Sequence, residues 1–232
     1  MLIGLVVFAV RFLADTDNLT AMLVRARQQR LVTELGKTFP AETSSKKIRI
    51  ATDGNLQRLS FADELLFPSA SAQLKPGGEV VLGKVRTILT TLLTEDAELF
   101  EAIAVEGHAD PRPVGGAFPD NWSLSSARAV QVVTFFLGPE ADLRRRLVRG
   151  ERMPLRPSLF SAAGFSFFSP PTEAKAEENR AYYEGKAFPP PASLDPSADL
   201  SAAPDRAPQD PRERLYGLQR RIDLLVTYTA QR

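Results

Sequence analysis

The chain predicts an α+β domain: a small mixed sheet with helices on one face, preceded by an N-terminal helix. Three observations carry this. Residues 48–52 and 221–228 alternate apolar and polar side chains, with Ile222, Leu224, Val226 and Tyr228 on one side, which is the period of a half-buried strand. Residues 81–92 and 124–137 instead repeat apolar residues every three or four positions, the signature of a helix with one buried face. Asp53-Gly54 separates the first extended run from a second at 56–61, and that dipeptide favours a tight hairpin turn. Strands interleaved with amphipathic helices pack as helices laid on one side of a sheet.

Taken in order, residues 1–13 are apolar except for Arg11. As a helix they reach about 20 Å, short of a hydrocarbon core of about 30 Å, and they lack the basic start of a signal peptide. Three readings stay open: an interfacial or partner-packed helix, the outer half of a membrane span that begins before this numbering, or a poor signal sequence. Residues 19–35 read as a helix whose stripe runs through Leu19, Met22 or Leu23, Ala26, Gln29 or Arg30, and Thr33, fading into polarity. Arg25, Arg27 and Arg30 are read as a solvated face, with contact to lipid headgroups as the sharper alternative. Phe39-Pro40 breaks the pattern and 43–47 is polar, as in a linker.

The helix after Pro76-Gly77-Gly78 uses Val81 or Leu82, Val85, Leu89 and Leu92, and Ile103 and Val105 mark a core strand over 101–106. The helix over 124–137 uses Ala129, Val130, Val133, Phe136 and Leu137 and stops at Gly138-Pro139. Gly77-Gly78 and Gly115-Gly116 are read as turn glycines. Between Pro170 and Gly217 the periodicity is lost among prolines, Ala, Ser and Asp; such a composition buries too little apolar surface to offset the entropy of ordering. One short helix is expected inside it, over 173–183. The stretch is read as a tolerated surface loop, or alternatively as a docking segment for a partner subunit or the cell wall.

Composition narrows the function classes. A net charge of +1 over 232 residues argues against a nucleic-acid binder, which carries a basic excess on one face. No cysteine is present, so neither a disulfide framework nor a thiolate metal site is available. No Ser/His/Asp arrangement, glycine-rich phosphate loop or cluster with metal-ligand spacing stands out; no enzyme, cofactor or metal is expected.

The informative stretch runs from Gly107 to Ala129. Asp110 follows the 101–106 run where the chain turns into Pro111-Arg112-Pro113, so its carboxylate is expected to project from the sheet edge. Arg128 lies four residues after Leu124 and faces the start of its helix. An acid and a guanidinium on one strand–loop–helix unit can share a cleft. Such a pair suits a ligand that carries an ammonium and a carboxylate, because arginine grips a carboxylate through two parallel hydrogen bonds. An internal salt bridge tying loop to helix is the alternative. Asn121 is expected to cap or order the loop before the helix, with Ser123 and Ser125 competing for that role. Trp122 is read as a core or loop anchor in preference to a sugar-stacking platform. His108, the only histidine, has no second His or Cys beside it, which argues against a metal site. Arg220 and Arg221 open the closing strand; one is expected to line the cleft, Arg221 being taken as that residue, and the other to be solvated.

Gly107-His108-x-Asp110, then Phe118-Pro119-x-Asn121-Trp122-x-Leu124-Ser125-x-Ala127-Arg128-Ala129, resembles the C-terminal domain of MotB-type stator subunits within the OmpA-like peptidoglycan-binding family. The resemblance extends to Phe67-x-x-x-Ser71-Ala72-x-Leu74-Lys75-Pro76, to Gly164 and Pro170, and to Gln219-Arg220-Arg221-Ile222-Asp223. It also includes proteins of the Zorya-type anti-phage systems. It implies an OmpA-like βαβαββ sandwich over 48–230 with a proline-rich insertion at 171–216. Ahead of it come an apolar segment at 1–14, taken as part of a membrane span, and a helix and linker at 15–47. It implies that Asp110 and Arg128 bind the diaminopimelate of a peptidoglycan stem peptide, supported by His108, Asn121, Leu124, Ser125 and Arg221. Ala109 stands where the family usually has threonine, which touches the positioning of Asp110 but not its charge.

The implied protein is a non-catalytic B-type subunit of an ion-driven stator. It anchors the complex to the wall, with an A-type membrane subunit as partner, a homodimeric state, a single inner-membrane span and a periplasmic C-terminal domain. Its service is either motility or anti-phage defence. A static OmpA-like wall anchor without ion coupling is the alternative. No acid precedes Asp15, so an ion-carrying aspartate near the start of a span is absent from this numbering.

Overall fold

A computed structural model describes residues 2–167, 169 and 216–229. The insertion at 171–216, except for its last residue, lies outside the described residues, as does the helix expected over 173–183. Helix α1 (Leu2–Thr38) and the short α2 (Pro40–Ser44) lead into a hairpin of β1 (Ile48–Asp53) and β2 (Leu56–Ala62). Next come α3 (Asp63–Leu66), α4 (Pro76–Glu95), β3 (Phe100–His108), α5 (Asn121–Leu137), α6 (Glu140–Val148), β4 (Phe160–Gly164) and β5 (Arg221–Tyr228). The sheet order is β1-β2-β5-β3-β4; β3 and β4 are parallel and the other neighbours antiparallel. This is the mixed α+β architecture that the sequence predicts.

The hairpin closes as its dipeptide requires. Asp53 pairs with Leu56 across a two-residue turn, and Gly54 sits at φ 57, where a side chain is disfavoured. The closing strand inserts in the middle of the sheet, so its apolar side (Ile222, Leu224, Val226, Tyr228) is fully buried. Strand β4 was legible only as a turn near Gly164. Phe160-Ser-Ala-Ala-Gly164 is short and made mostly of small residues, and only pairing with β3 makes it a strand.

Two helices turn a different face inward than apolar counting suggests. In α1 the buried residues are Val24, Gln28, Leu31 and Leu35, continued by Phe39, whereas Leu19, Met22 and Leu23 are exposed. Gln28 belongs to the buried face because its amide donates to the Gly54 carbonyl at 3.0 Å. The basic run is engaged rather than merely solvated: Arg27 binds Asp96 at 2.7 Å and the Thr229 carbonyl at 3.1 Å, and Arg30 pairs with Glu95. Helix α1 passes residues 14 and 15 without a break, and Phe39, placed in a linker by sequence, is in the core. In α5 the buried residues are Leu124, Ser125, Arg128, Ala129, Val132 and Phe136, and Val130 is exposed. Two of those buried positions are polar, which displaces the stripe. No helix among the described residues is long and apolar enough to cross a membrane.

Glycines set how closely the layers meet. Gly77 and Gly78 lie in the first turn of α4, not before it, and a side chain on Gly78 would overlap the Leu66 carbonyl. On β3, a methyl group at Gly107 would overlap the Ser125 carbonyl, and on β4 one at Gly164 would overlap Ser126. Helix α5 therefore rests on the sheet at backbone distance. Gly107→Ala is expected to destabilise the fold by about 2–3 kcal/mol or more, because the obstruction is main chain and cannot rotate away. Gly83→Ala, in open space on α4, should instead stabilise by roughly 0.5–1 kcal/mol. Urea unfolding of the two variants checks both signs.

Candidate functional site

Beyond β3 the chain stays extended for one more residue, as the Ala109 N–H donates to the Ser166 carbonyl at 2.7 Å. Asp110 follows, and its carboxylate is fully engaged. Oδ1 accepts the Arg112 backbone N–H at 3.0 Å. Oδ2 accepts Arg112 Nη2 at 2.6 Å, Arg112 Nε at 3.0 Å and Arg220 Nη1 at 3.1 Å. The Arg112 guanidinium also lies 5.4 Å from the Tyr216 ring centroid, within reach of a cation–π attraction.

The loop then closes onto α5. Asp120 is the N-cap: its Oδ1 accepts the Ser123 N–H at 2.7 Å, and that bond holds its carboxyl below the usual range. Asn121 takes the loop-ordering one of its two expected roles, donating from Nδ2 to the carbonyls of Asp110 and Arg112, each at 2.9 Å. Trp122 is half exposed and does not anchor the core.

Arg128, on the cavity-facing side of α5, is 2% exposed. Its Nε donates to the Ser71 carbonyl at 2.8 Å and its Nη2 to that of Pro68 at 3.3 Å, so it holds the 67–74 loop in place. Its Nη1 lies 3.0 Å from Asp63 Oδ1, off the line of a hydrogen bond, so that oxygen has no hydrogen-bond partner. Burial therefore outweighs the attraction of Arg128, and the Asp63 carboxyl is pushed up to about 6, with Asp110 adding to the rise. Burial pulls Arg128 down, opposed by Asp63 and Asp110.

These side chains surround one cavity of about 390 Å³, lined by Asp63, Asp110, Arg112, Asn121, Leu124, Arg128 and Arg220 among others. Asp110, Arg128, Asn121 and Leu124 thus meet, as the sequence suggests. Asp110 does not project freely from the sheet edge, being only 6% exposed. His108, Ser125 and Arg221 are not in the lining. Arg220, in the turn just before β5, reaches the cavity, while Arg221, the first residue of the strand, is buried elsewhere, on Asp223 at 3.0 Å. Ser125 bridges helix and loop, donating to the Trp122 carbonyl and accepting the Ser166 N–H.

His108 stacks on Phe165, and its Nε2 is 3.5 Å from both Glu106 and Asp223; burial lowers its pKa, with Glu106 opposing. Glu106, His108 and Asp223 bring one potential ligand atom each within 4.8 Å of one another. Arg58 and Arg221 already neutralise Asp223 there, so a cation would enter against two guanidiniums.

Asp63 escaped the sequence reading. Its only local signal was its place at the end of an extended run, with Glu64 between it and Leu65-Leu66-Phe67, and nothing in that spacing says which of the two acids packing buries.

No family model matches the chain. The Bacillus subtilis (strain 168) protein YtxE is 30% identical over 91 residues, 39% of this chain; the match spans 35% of that protein's length. A crystal structure of a MotB-like protein from Desulfovibrio vulgaris superposes with a TM-score of 0.55 at 18% identity, covering 91% of this chain and 99% of that one. The cell wall anchor of the T6SS from Pseudomonas aeruginosa gives 0.48 at 19% identity, covering 84% and 97%. The chain therefore has the mixed α+β fold of MotB-like proteins.

Two expectations follow. Arg128→Ala strands Asp63 in the interior and should cost about 3–5 kcal/mol, whereas Asp63→Asn in the same chain should restore part of it; denaturant midpoints of the parent and the two variants test this. Since folding raises Asp63 from 3.8 to about 6, the native state holds a proton there that the unfolded chain has released. Stability is then lost as pH rises through that window, by up to about 3 kcal/mol. Urea midpoints between pH 4 and 7 should show this slope, and Asp63→Asn should flatten it.

Proposed function

We propose that this chain is a non-catalytic peptidoglycan-binding B-type subunit of a MotB-like ion-driven stator, and that it ties the complex to the cell wall. The observation that carries the reading is the cavity, in which Asp110 and Arg128 stand with further charges of both signs at the edge of a MotB-like fold. A stem peptide containing diaminopimelate offers an ammonium and a carboxylate, and a cavity of about 390 Å³ accommodates one amino-acid head with its neighbouring peptide bonds. In this reading Asp110 takes the ammonium while Arg128, held by the Ser71 and Pro68 carbonyls, completes the positive wall. The domain division at 1–14, 15–47 and 48–230 belongs to the same proposal. So do the periplasmic position of the domain, the inner-membrane span formed with the N-terminal segment, the homodimer, and the A-type partner in motility or anti-phage defence.

Both partners of Asp110 are about one-third exposed, so neutralising this residue leaves no charge stranded in the core. Asp110→Asn is therefore expected to keep its melting temperature within a few degrees and to lose at least about tenfold in pull-down by purified sacculi, the range of one charged hydrogen bond. Sacculus binding equal to that of the parent chain, at unchanged stability, would remove the proposed site.

A further inference from the structure

We propose that the tip of α6 and the loop after it, residues 143–153, dock on the surface of an anionic phospholipid bilayer, at the end of the domain opposite the cavity.

The segment reads Leu143-Arg-Arg-Arg-Leu-Val-Arg-Gly-Glu-Arg-Met153, five arginines against one acid. Among the described residues, α6 buries none of its own side chains. Leu147 is 53% exposed and Val148 89%, beside Arg144, Arg145 and Arg149, which are exposed as well. Residues four apart share a helix face, so Val148 stands over Arg144 and Leu147 over Leu143. A helix of nine residues is marginal in water unless it packs on something. Its exposed ion pairs, Arg144 with Glu140 and Arg145 with Asp142, add little. An apolar tip among guanidiniums instead matches a lipid interface. The aliphatic side chains enter the boundary between headgroups and acyl chains, and the arginines bind the phosphates.

Position selects the partner. Strand β3 ends beside the cavity, so its start at Phe100, paired with Tyr228 and near the β1–β2 turn, marks the far end of the sheet. Helix α5 begins at the cavity and runs to that far end, where α6 follows. The return loop is fixed there too, by Arg156 on the Ala97 carbonyl at 3.3 Å. Helix α1 reaches the same end: Arg27 donates to the Thr229 carbonyl and Gln28 to that of Gly54. Its C-terminal part leads instead to Ile48, at the cavity end of β1. The turns of α1 before Val24 therefore run out past the far end. They carry residues 2–13, apolar but for Arg11, the last of them about 16 Å beyond Val24. A basic surface with an apolar tip and an apolar helix leaving from one end fit a bilayer better than a soluble polyanion. What the cavity binds has no bearing on this surface.

The chain has no cysteine, which allows one label at a chosen place. Full-length Val148→Cys carrying nitrobenzoxadiazole is mixed with vesicles of phosphatidylcholine, alone or with phosphatidylglycerol. Val80→Cys, exposed on α4 near the cavity end, carries the same label as control. The label at 148 is expected to brighten and shift to the blue with the anionic vesicles only, and the label at 80 to stay unchanged. Replacing Arg144, Arg145 and Arg149 by Gln should raise the phosphatidylglycerol needed for half the response by roughly fivefold per arginine, whereas Lys at the same places should retain it. Melting temperatures matching the parent show that the variants are folded. The proposal is overturned by no response at 148, an equal response to both vesicle types, or a response undiminished in the Gln variant. A label at 80 that responds like the one at 148, or a response to soluble polyphosphate equal to that with vesicles, overturns it as well. Sacculus pull-down of the same labelled chain reports on the cavity separately, so failure at one end is told apart from failure at the other.

Discussion

Everything at the cavity depends on how closely α5 lies against the sheet. Gly107 on β3 and Gly164 on β4 have no side chains to hold the helix off, and the Ser125 and Ser126 main chain occupies the space a Cβ would need. That approach brings Arg128 against α3 and the 67–74 loop, and Asn121 against the carbonyls of Asp110 and Arg112. Raising the helix by the width of a methyl group would part the charges that now share one cavity, since close-packed interiors transmit such shifts.

The charges themselves are arranged as internal pairs rather than as bare receptors. Asp63 faces Arg128 in the interior, and Asp110 holds Arg112 and Arg220 nearer the surface. The first pair is costly, because burial opposes both ionised forms and the Asp63–Arg128 geometry is imperfect; its work is to hold the loop and helix together. The second is better solvated, since both of its arginines are about one-third exposed. A similar division runs through the far face of the sheet, where Asp223 gathers Arg58, Arg221 and His108 in a polar layer beside the cavity, not within it.

Much of this was legible beforehand, and the misses share one cause. Asp110, Arg128, Asn121 and Leu124 could be brought together from sequence because they lie on one short strand–loop–helix unit, whose geometry is local. Asp63 and Arg220 reach the same cavity from distant parts of the chain. Nothing in their spacing shows that the start of α3 and the approach to β5 are neighbours. The expectation for Arg221 failed because β5 begins at that residue while Arg220 stays in the turn ahead of it, and where the strand begins is set by its pairing with β2 and β3. The inward faces of α1 and α5 were misjudged for a related reason: Gln28, Ser125 and Arg128 are buried polar residues whose hydrogen-bond partners belong to other elements.

The sequence by itself determined the fold class, the hairpin at Asp53-Gly54, the main strands and helices, and the stretch in which the site lies. All of these follow from periodicity and turn chemistry within short windows. The tertiary structure decided which arginine of the pair enters the cavity, that Asp63 stands against Arg128, that β4 is a strand at all, and how exposed each charge is. Those outcomes depend on contacts between residues far apart in the chain and on the desolvation such contacts impose, and no local pattern encodes either.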